Sequence, residues 1–432
     1  MVQLSEIIAK KEGDAVKLEF LELNYFRNMK SERISFENKK FVALIGDNGS
    51  GKTSILEAIT KAFVPIIRAV NGEAVKKCDL VNNDIMHGES GAAVTIGIIL
   101  DDEKYIWTNK RRLSSQVPFD ETIELREQIQ NDSKLLKSKY VECVLKKELP
   151  LVLYYGTDRI IRDVPQRGHI KKFEITDALR NCFDNVNYFR DFYDWFKTEE
   201  DIELRKLRDD KNYRNPRLDC VRSAIERMIK GYSNLRIELS PARMVLTNEQ
   251  GMDLEIEQLS GGYKAVLSVV ADIAKRLSIA NPLSANPLEE EAIILIDELD
   301  LHLHPKWQKT IVDDLKRTFP NCQFIISTHS PFVIQALHAH ELFDISIMQY
   351  AEGNGSYNGW SIDAIQEEKM GVEKKTPLYN TMIAEFSDAI DNENYATAKT
   401  LYEELLRMVH PDSRERKVLD LDMEMIEADD KT

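Results

Sequence analysis

A glycine-rich segment with a single lysine lies at residues 46–53, where the sequence reads GDNGSGKT. Glycines allow successive backbone N–H groups to turn towards one anion, and a helix that begins there adds the positive end of its dipole. The spacing G-x-x-x-x-G-K-T therefore predicts a site for the phosphates of ATP, with Lys52 at the β- and γ-phosphates and Thr53 on Mg²⁺. The residues predicted to bind the nucleotide here are Asn48, Gly49, Ser50, Gly51, Lys52, Thr53 and Ser54.

Two later segments are short apolar runs that lead into polar residues. Residues 292–296 read AIILI and precede Asp297 and Glu298, and residues 324–327 read FIIS and lead to His329. This pattern predicts buried strands whose ends deliver polar side chains to one edge of a sheet. We expect Asp297 to hold Mg²⁺ through water, Glu298 to orient and polarise the attacking water, and His329 to contact the γ-phosphate. The predicted catalytic residues are Glu298, His329 and Lys52, and the predicted metal ligands are Thr53 and Asp297.

The tetrapeptide LSGG at residues 259–262 completes a series that runs glycine-rich loop, LSGG, Asp-Glu, His. In this order the motifs resemble those of the ABC-type ATPases of the RecF, SMC and overcoming-lysogenization-defect branch. The resemblance implies that Ser260, Gly261 and Gly262 contact ATP held by an opposing copy of the chain, so that two copies close over two nucleotides. It also implies an α/β fold: an ABC-type ATPase head with two lobes around a mixed or parallel sheet, a helical insertion and a C-terminal helical tail.

Three longer segments resemble the PtuA-like ATPases of Septu-type anti-phage defence and their retron-associated relatives. They are YYGTDR at residues 154–159, FRDFYDWF at 189–196 and DELDLHLHP at 297–305. The resemblance implies a homo-oligomeric ATP hydrolase that holds an HNH endonuclease of PtuB type and regulates it through its nucleotide state. The alternative function is that of a RecF-like DNA-repair clamp, which binds DNA directly and has no nuclease partner.

Strand-like and helix-like patterns alternate around these motifs. We expect strands within residues 17–45 and at 92–100, 105–109, 151–155 and 235–246, and helices at 54–64, 263–277 and 306–318. Four parts are predicted: an ATPase lobe with the glycine-rich loop at 1–170, a helical insertion with return strands at 171–250, a second lobe with the LSGG, Asp-Glu and His motifs at 251–350, and an acidic helical region at 351–432.

The charge of the chain is acidic and uneven. The net charge is −15, and residues 361–432 contain 18 Asp and Glu against 9 Lys and Arg. We therefore expect the C-terminal region to be a docking surface for a basic partner such as a nuclease. Basic residues cluster at 110–112 and between Arg205 and Arg217, where acidic residues are interleaved, so nucleic acid stays an open partner class.

Targeting and cysteine patterns indicate a cytoplasmic protein without membrane contact. No apolar run reaches the ~18 residues that span a bilayer, and the N-terminus has no basic segment followed by an apolar one. The 5 cysteines are scattered and include no C-x-x-C pair, which argues against a zinc site or a disulfide framework.

Three local patterns have competing interpretations. His302 and His304 alternate like metal ligands, but they fit better a loop that crosses the dimer interface. Residues 420–422 read DLD, which fits an acidic tail better than a nuclease site because only ten residues follow. The glutamine that the resemblance implies shortly after residues 151–156 is missing, since Thr157, Asp158 and Arg159 stand there and Gln166 follows later.

Overall fold

Strands and helices alternate along most of the chain. The computed structural model describes residues 16–73, 79–113, 127–159, 172–183, 188–239, 242–353, 355–373, 375–392 and 394–429. The chain divides into two units, Met1–Gly359 and Trp360–Thr432.

Strands of the first unit form three sheets in the described part of the chain. The strands are β1 Lys17–Phe26, β2 Met29–Ser35, β3 Phe41–Ile45, β4 Gly91–Leu100, β5 Glu103–Arg112, β6 Leu151–Tyr155, β7 Tyr232–Leu239, β8 Ala242–Asn248, β9 Asp253–Glu255, β10 Ala292–Ile296, β11 Gln323–Ser327, β12 Leu342–Asp344 and β13 Gln349–Tyr350. The strand orders are β2-β1-β4-β5, β13-β12-β3-β11-β10-β6 and β7-β8-β9.

The six-stranded sheet is the buried centre of the first unit. Its strands β3, β11, β10 and β6 have five residues each, and all of these residues are buried. Neighbours among the four pair in parallel, with Ser327 opposite Leu44 and Ile296 opposite both Ile326 and Tyr155. Aliphatic runs of this kind suit a parallel sheet covered on both faces. All four strands therefore end at the same edge of the sheet.

Helices cover this sheet and build the second unit. Those of the first unit are α1 Lys52–Val70, α2 Glu127–Lys146, α3 Tyr188–Lys206, α4 Pro216–Met228, α5 Gly261–Ala280, α6 Pro305–Gln308, α7 Ile311–Thr318 and α8 Pro331–Gln335. Helix α1 buries Ile55, Ile59 and Phe63 at a spacing of four residues and contacts strands of both the six-stranded and the four-stranded sheets. Trp107 of β5 donates its Nε1–H to the Ala62 carbonyl at 2.9 Å, which fixes α1 against the four-stranded sheet.

Helix α5, which begins in the LSGG motif, contains a buried ionic cluster. Asp272 accepts hydrogen bonds from Lys275 at 2.8 Å and from Arg276 at 2.5 Å, and all three side chains are almost fully buried. The Tyr155 hydroxyl at the end of β6 donates to the same carboxylate at 3.0 Å. Burial opposes ionisation of Asp272, but Arg276 and Lys275 outweigh it and hold the pKa of this carboxyl below its ordinary value.

The described residues of the second unit form helices joined by short turns and include no strand. Its helices are α9 Ile362–Met370, α10 Pro377–Asp391, α11 Tyr395–Met408 and α12 Arg414–Asp429. Phe386, Leu405 and Leu419 from three of these helices form its apolar core. Asp420, the first acid of the DLD sequence, accepts a hydrogen bond from the Tyr402 hydroxyl at 2.7 Å. This carboxylate therefore connects α12 to α11.

The α/β class, the mixed sheet and the C-terminal helical region are confirmed, and two local predictions were wrong. The helix predicted at 306–318 is split into α6 and α7, because Gln308 donates to the carbonyls of Asp300 and Leu303 and so ties the first turn to the preceding loop. The strand predicted at 235–246 is the β7–β8 hairpin, and Pro241, which lacks the N–H that an unbroken strand requires, stands between the two strands in the sequence. The boundaries at 170, 250 and 350 stay predictions.

The aromatic segment 189–196 lies in α3. Phe192, Tyr193, Trp195 and Phe196 are all buried. They pack as part of the core, and their side chains are not available at the surface of the chain.

Replacing Asp272 by alanine is expected to lower the free energy of unfolding by about 3–5 kcal/mol, because Arg276 and Lys275 would stay buried without their carboxylate. Denaturant unfolding of the full chain measures this. The matched control is Glu142→Ala, which removes an i,i+4 pair with Lys146 whose side chains are 50% and 51% exposed, and this variant should unfold like the wild type. Equal loss of stability in both variants would contradict the role given to the buried cluster.

Candidate functional site

The glycine-rich loop joins β3 to α1 at the shared edge of the parallel strands. Its backbone has positive φ at Gly46 (141°), Gly49 (82°) and Gly51 (109°), the last of which is the N-cap of α1. A Cβ at Gly51 would lie 2.5 Å from the Met29 Cε, which a flexible side chain can move, so the backbone conformation is what favours glycine here. The loop therefore turns back at the N-terminus of a 19-residue helix, where backbone N–H groups lack intrahelical partners.

The contacts of Lys52 and Ser50 indicate which kind of ligand this loop can bind. The Lys52 Nζ donates to the carbonyl oxygens of Gly46 at 2.7 Å and Asp47 at 2.9 Å. Burial lowers the pKa of Lys52 against the opposing effect of Asp297 and other nearby carboxylates. The Ser50 Oγ is buried and has no hydrogen-bond partner in the part of the chain that the structure describes. A buried ammonium group held by loop carbonyls beside an unsatisfied hydroxyl fits a site for a phosphate group.

Thr53, Asp297 and Ser327 form one hydrogen-bonded chain across three elements. The Thr53 Oγ1 donates to Asp297 Oδ2 at 2.9 Å, and the Ser327 Oγ donates to Asp297 Oδ1 at 2.5 Å. The Thr53 hydroxyl and the Asp297 carboxylate are oxygen ligands of the kind that Mg²⁺ prefers. The structure thus brings together the two residues predicted to hold the metal, although they are separated by 244 positions in the sequence.

Glu298 has its backbone held from two sides. Its φ is 45°, in the left-handed region that few non-glycine residues adopt. The Glu298 N–H donates to the Ser327 Oγ at 2.7 Å, and the Glu298 carbonyl accepts a hydrogen bond from Arg159. These contacts fix the peptide on both sides of the residue that is predicted to orient water.

His329 follows β11, the strand between β3 and β10. Asp300 accepts hydrogen bonds from the Thr328 hydroxyl and from the His329 N–H, the latter at 3.3 Å. The Ser330 Oγ donates to Gln308 Oε1 at 2.6 Å. The loop after the Asp-Glu pair therefore holds the backbone of His329 in place.

The LSGG motif lies at the start of α5 and leaves its polar groups exposed. Ser260 is the N-cap of α5, yet its side chain makes no capping hydrogen bond, and both Ser260 and Gly261 are exposed. A Cβ at Gly262 would lie 2.7 Å from the His302 carbonyl oxygen, so the motif packs against the loop after the Asp-Glu pair of its own chain. Among the described residues, no hydrogen bond joins residues 260–262 to the glycine-rich loop.

Several contacts in the site were missed by the sequence analysis. Asn28, in the turn between β1 and β2, donates to the carbonyls of Gly49 at 3.3 Å and Ser50 at 3.1 Å. Arg27 beside it donates to the Ser54 Oγ at 3.3 Å and pairs with Glu57 and Asp84. The only signal in the sequence is that Arg27 and Asn28 form a polar pair between two runs of alternating apolar and polar residues. Arg159, Ser327 and Asp300 were missed as well, and Gln166 lies outside the described residues.

The described residues provide two further findings about the site's surroundings. No group of three or more His, Cys, Asp or Glu side chains in the described ranges is arranged to hold a metal ion by itself. No helix among the described residues is long and apolar enough to cross a membrane.

The sequence of this chain is similar to that of a known protein family and of several known ATPases and defence proteins. Residues 41–335 match the family described as "AAA domain, putative AbiEii toxin, Type IV TA system". The chain is 29% identical over 391 residues to the Retron Vc95 probable ATPase of Vibrio cholerae serotype O1 biovar El Tor, with 78% of this chain and 74% of that protein covered. It is 27% identical over 419 residues to the Septu protein PtuA of Bacillus thuringiensis, with 93% of this chain and 96% of that protein covered.

Two more matches complete the comparison. The Retron Ec83 probable ATPase of Escherichia coli is 25% identical over 490 residues, with 97% of this chain and 89% of that protein covered. The SMC head domain from Thermotoga maritima superposes with a TM-score of 0.40 at 16% identity, with 76% of this chain and 94% of that chain covered. The resemblance to Septu and retron ATPases that the motifs indicated is confirmed by these relatives.

Removing the side chain of Asn28 is expected to weaken nucleotide binding. Asn28→Ala would delete both hydrogen bonds to the loop carbonyls, and we expect the affinity for a fluorescent ATP analogue to fall by roughly three- to tenfold. Asn24→Ala is the matched control, since Asn24 lies on the adjoining strand and donates only to Glu22, at 3.3 Å, among the hydrogen bonds described. Identical affinities for the two variants would show that Asn28 does not support the loop.

Proposed function

The chain belongs to this AAA-domain family, and from that membership we propose that it is the ATP-binding and ATP-hydrolysing subunit of an anti-phage defence complex. The observation that carries the proposal is the meeting of Lys52, Thr53 and Asp297 at one sheet edge, where Glu298 and His329 leave the neighbouring strands. The names of the Septu and retron relatives support the defence assignment.

ATP would be held by the loop at residues 46–53, with its phosphates at the N-terminus of α1 and near the Ser50 hydroxyl. Mg²⁺ would be held by Thr53 and Asp297, and when bound it would neutralise negative charge on the phosphates. The fit rests on the buried Ser50 Oγ and on the pairing of the Thr53 hydroxyl with a carboxylate.

The proposed chemistry assigns separate roles to four side chains. Lys52 would exchange its bonds to the loop carbonyls for bonds to phosphate oxygens. Glu298 would orient the attacking water and accept its proton at the carboxylate, and His329 would contact the γ-phosphate. Asp297 would serve as a metal ligand, fixed by its hydrogen bond from Ser327.

Closure between two copies of the chain is the proposed switch. Ser260 and Gly261 are exposed and make no hydrogen bond to the loop of their own chain within the described residues. In a dimer they would contact the nucleotide on the opposing copy, so ATP binding would change the assembly. In the complex we propose that this change controls an HNH endonuclease, and that the acidic second unit docks it.

Three variants test hydrolysis and closure together. Glu298→Gln should bind ATP, lose hydrolysis and accumulate as a nucleotide-bound dimer in native mass spectrometry, because the water would lack its base. The double variant Glu298→Gln/Ser260→Arg should be monomeric and should keep its affinity for ATP, because the arginine would block closure between two copies. Lys52→Ala, the control for binding, should lose affinity for ATP. Hydrolysis by Glu298→Gln at the wild-type rate would refute the assignment of Glu298.

The defence assignment is tested by co-expressing the chain with the product of its neighbouring gene. We expect a stable complex with an HNH protein, weakened at least several-fold in affinity by Glu403→Lys/Glu404→Lys, which reverses two exposed charges on α11. Asp209→Lys/Asp210→Lys, an exposed acidic pair of the first unit, is the matched control. A nucleotide-dependent dimer that binds DNA and no nuclease would support the RecF-like clamp instead.

A further inference from the structure

Arg159 lies four residues after β6 and is buried, with 4% of its surface exposed. Its Nη1 donates to the Asp297 carbonyl and to the Gly156 carbonyl, the latter at 3.2 Å, and its Nη2 donates to the Glu298 carbonyl. A planar guanidinium can contact two consecutive carbonyls at once because its donors form a rigid fork. The Arg159 side chain thus holds the two peptide groups that flank the Cα of Glu298.

The backbone of Arg159 is in turn tied to α5, the helix that begins in the LSGG motif. The Ser268 Oγ lies 2.9 Å from the Arg159 carbonyl and 2.9 Å from the Ala265 carbonyl of its own helix, so its one hydrogen is shared between them. Ser268 is 1% exposed. One turn further along α5, Asp272 accepts from the Tyr155 hydroxyl at 3.0 Å. Two buried polar contacts therefore join α5 to the end of β6 and to the turn that follows it.

We propose that Arg159 is a positioning residue that couples the LSGG helix to the Asp297-Glu298 pair. The proposal rests on the proposed function, because it concerns how closure at Ser260 reaches the residue that orients water. The route is short: α5 moves Ser268, Ser268 holds the Arg159 backbone, and the Arg159 side chain holds the Glu298 carbonyl. Arg159 occupies the region in which the resemblance implies a glutamine.

The consequence for Glu298 follows from its backbone. A non-glycine residue at φ 45° stays there only while its surroundings hold it. Ser327 holds the Glu298 N–H at 2.7 Å, and Arg159 holds the carbonyl. Without the Arg159 guanidinium, the hydrogen bond to the Glu298 carbonyl is lost, and the Glu298 carboxylate is oriented less accurately. No described hydrogen bond joins Arg159 to residues 46–53, so nucleotide binding should be spared.

Two variants with a matched control test this coupling. Arg159→Lys keeps a positive charge but cannot span two carbonyls, and Ser268→Ala removes one hydroxyl. Ser278→Ala is the control, because Ser278 lies on the same helix, is also 1% exposed, and donates to the carbonyl three residues earlier as Ser268 does, but not to Arg159. We expect kcat for ATP to fall by roughly tenfold or more in Arg159→Lys and by roughly two- to tenfold in Ser268→Ala.

Affinity for the fluorescent ATP analogue should stay within about twofold in both variants, and Ser278→Ala should match the wild type in all respects. In the double variant Arg159→Lys/Ser268→Ala, kcat should be little lower than in Arg159→Lys alone. The reason is that Arg159→Lys already removes the side-chain contact with the Glu298 carbonyl through which Ser268 would act. Additive losses, or an equal fall in affinity and kcat, would indicate a merely structural role and overturn the proposal. So would a wild-type kcat in Arg159→Lys.

Hydrogen exchange in the nucleotide-free chain provides a measurement that does not require turnover. The Leu301 N–H donates to the Glu298 carbonyl at 2.9 Å, the same carbonyl that Arg159 contacts. We expect faster exchange at Leu301 in Arg159→Lys and unchanged exchange in Ser278→Ala. Unchanged exchange in Arg159→Lys would overturn the proposal, whereas absence of hydrolysis in the wild type would count against the proposed function alone.

Discussion

Parallel pairing of four buried strands is the constraint on which the rest of this structure depends. Because β3, β11, β10 and β6 run in the same direction, the segments that follow them lie along one edge. The glycine-rich loop, Ser327, the Asp-Glu pair and Arg159 meet there. The register matters as much as the direction, since a slip of one residue in β10 would turn Asp297 away from Thr53.

The charges at this edge favour the proposal that a cation binds there. Burial lowers the pKa of Lys52, although four carboxylates oppose this shift: Asp297, Glu298, Asp47 and Asp300. Four carboxylates against one ammonium group would repel a triphosphate, so the proposed divalent cation, held by Thr53 and Asp297, would offset this negative charge. The hydrogen bond from Thr53 to Asp297 holds the two oxygen atoms that we propose as its ligands 2.9 Å apart.

Much of the site could be predicted because its chemistry is encoded in short contiguous segments. Aliphatic runs such as residues 292–296 predict buried strands, and the glycine spacing at 46–53 predicts the loop between β3 and α1. Arg159 and Asn28 could not be found this way, since their roles consist of hydrogen bonds to backbone carbonyls that only the tertiary fold brings near. The break between α6 and α7 could not be predicted for the same reason. It depends on hydrogen bonds from the Gln308 side chain to backbone carbonyls of the preceding loop.

Ser327 shows how the two acids come to act as a unit. Its hydroxyl donates to the Asp297 carboxylate and accepts from the Glu298 N–H, so one oxygen orients both residues. The left-handed backbone at Glu298 costs on the order of 1 kcal/mol or more, and a cost of that size persists only where several contacts enforce it. The strain lies at the residue that we propose orients the attacking water. A relaxed backbone there would save energy in the folded state but would let the Glu298 carboxylate move independently of Asp297 beside it.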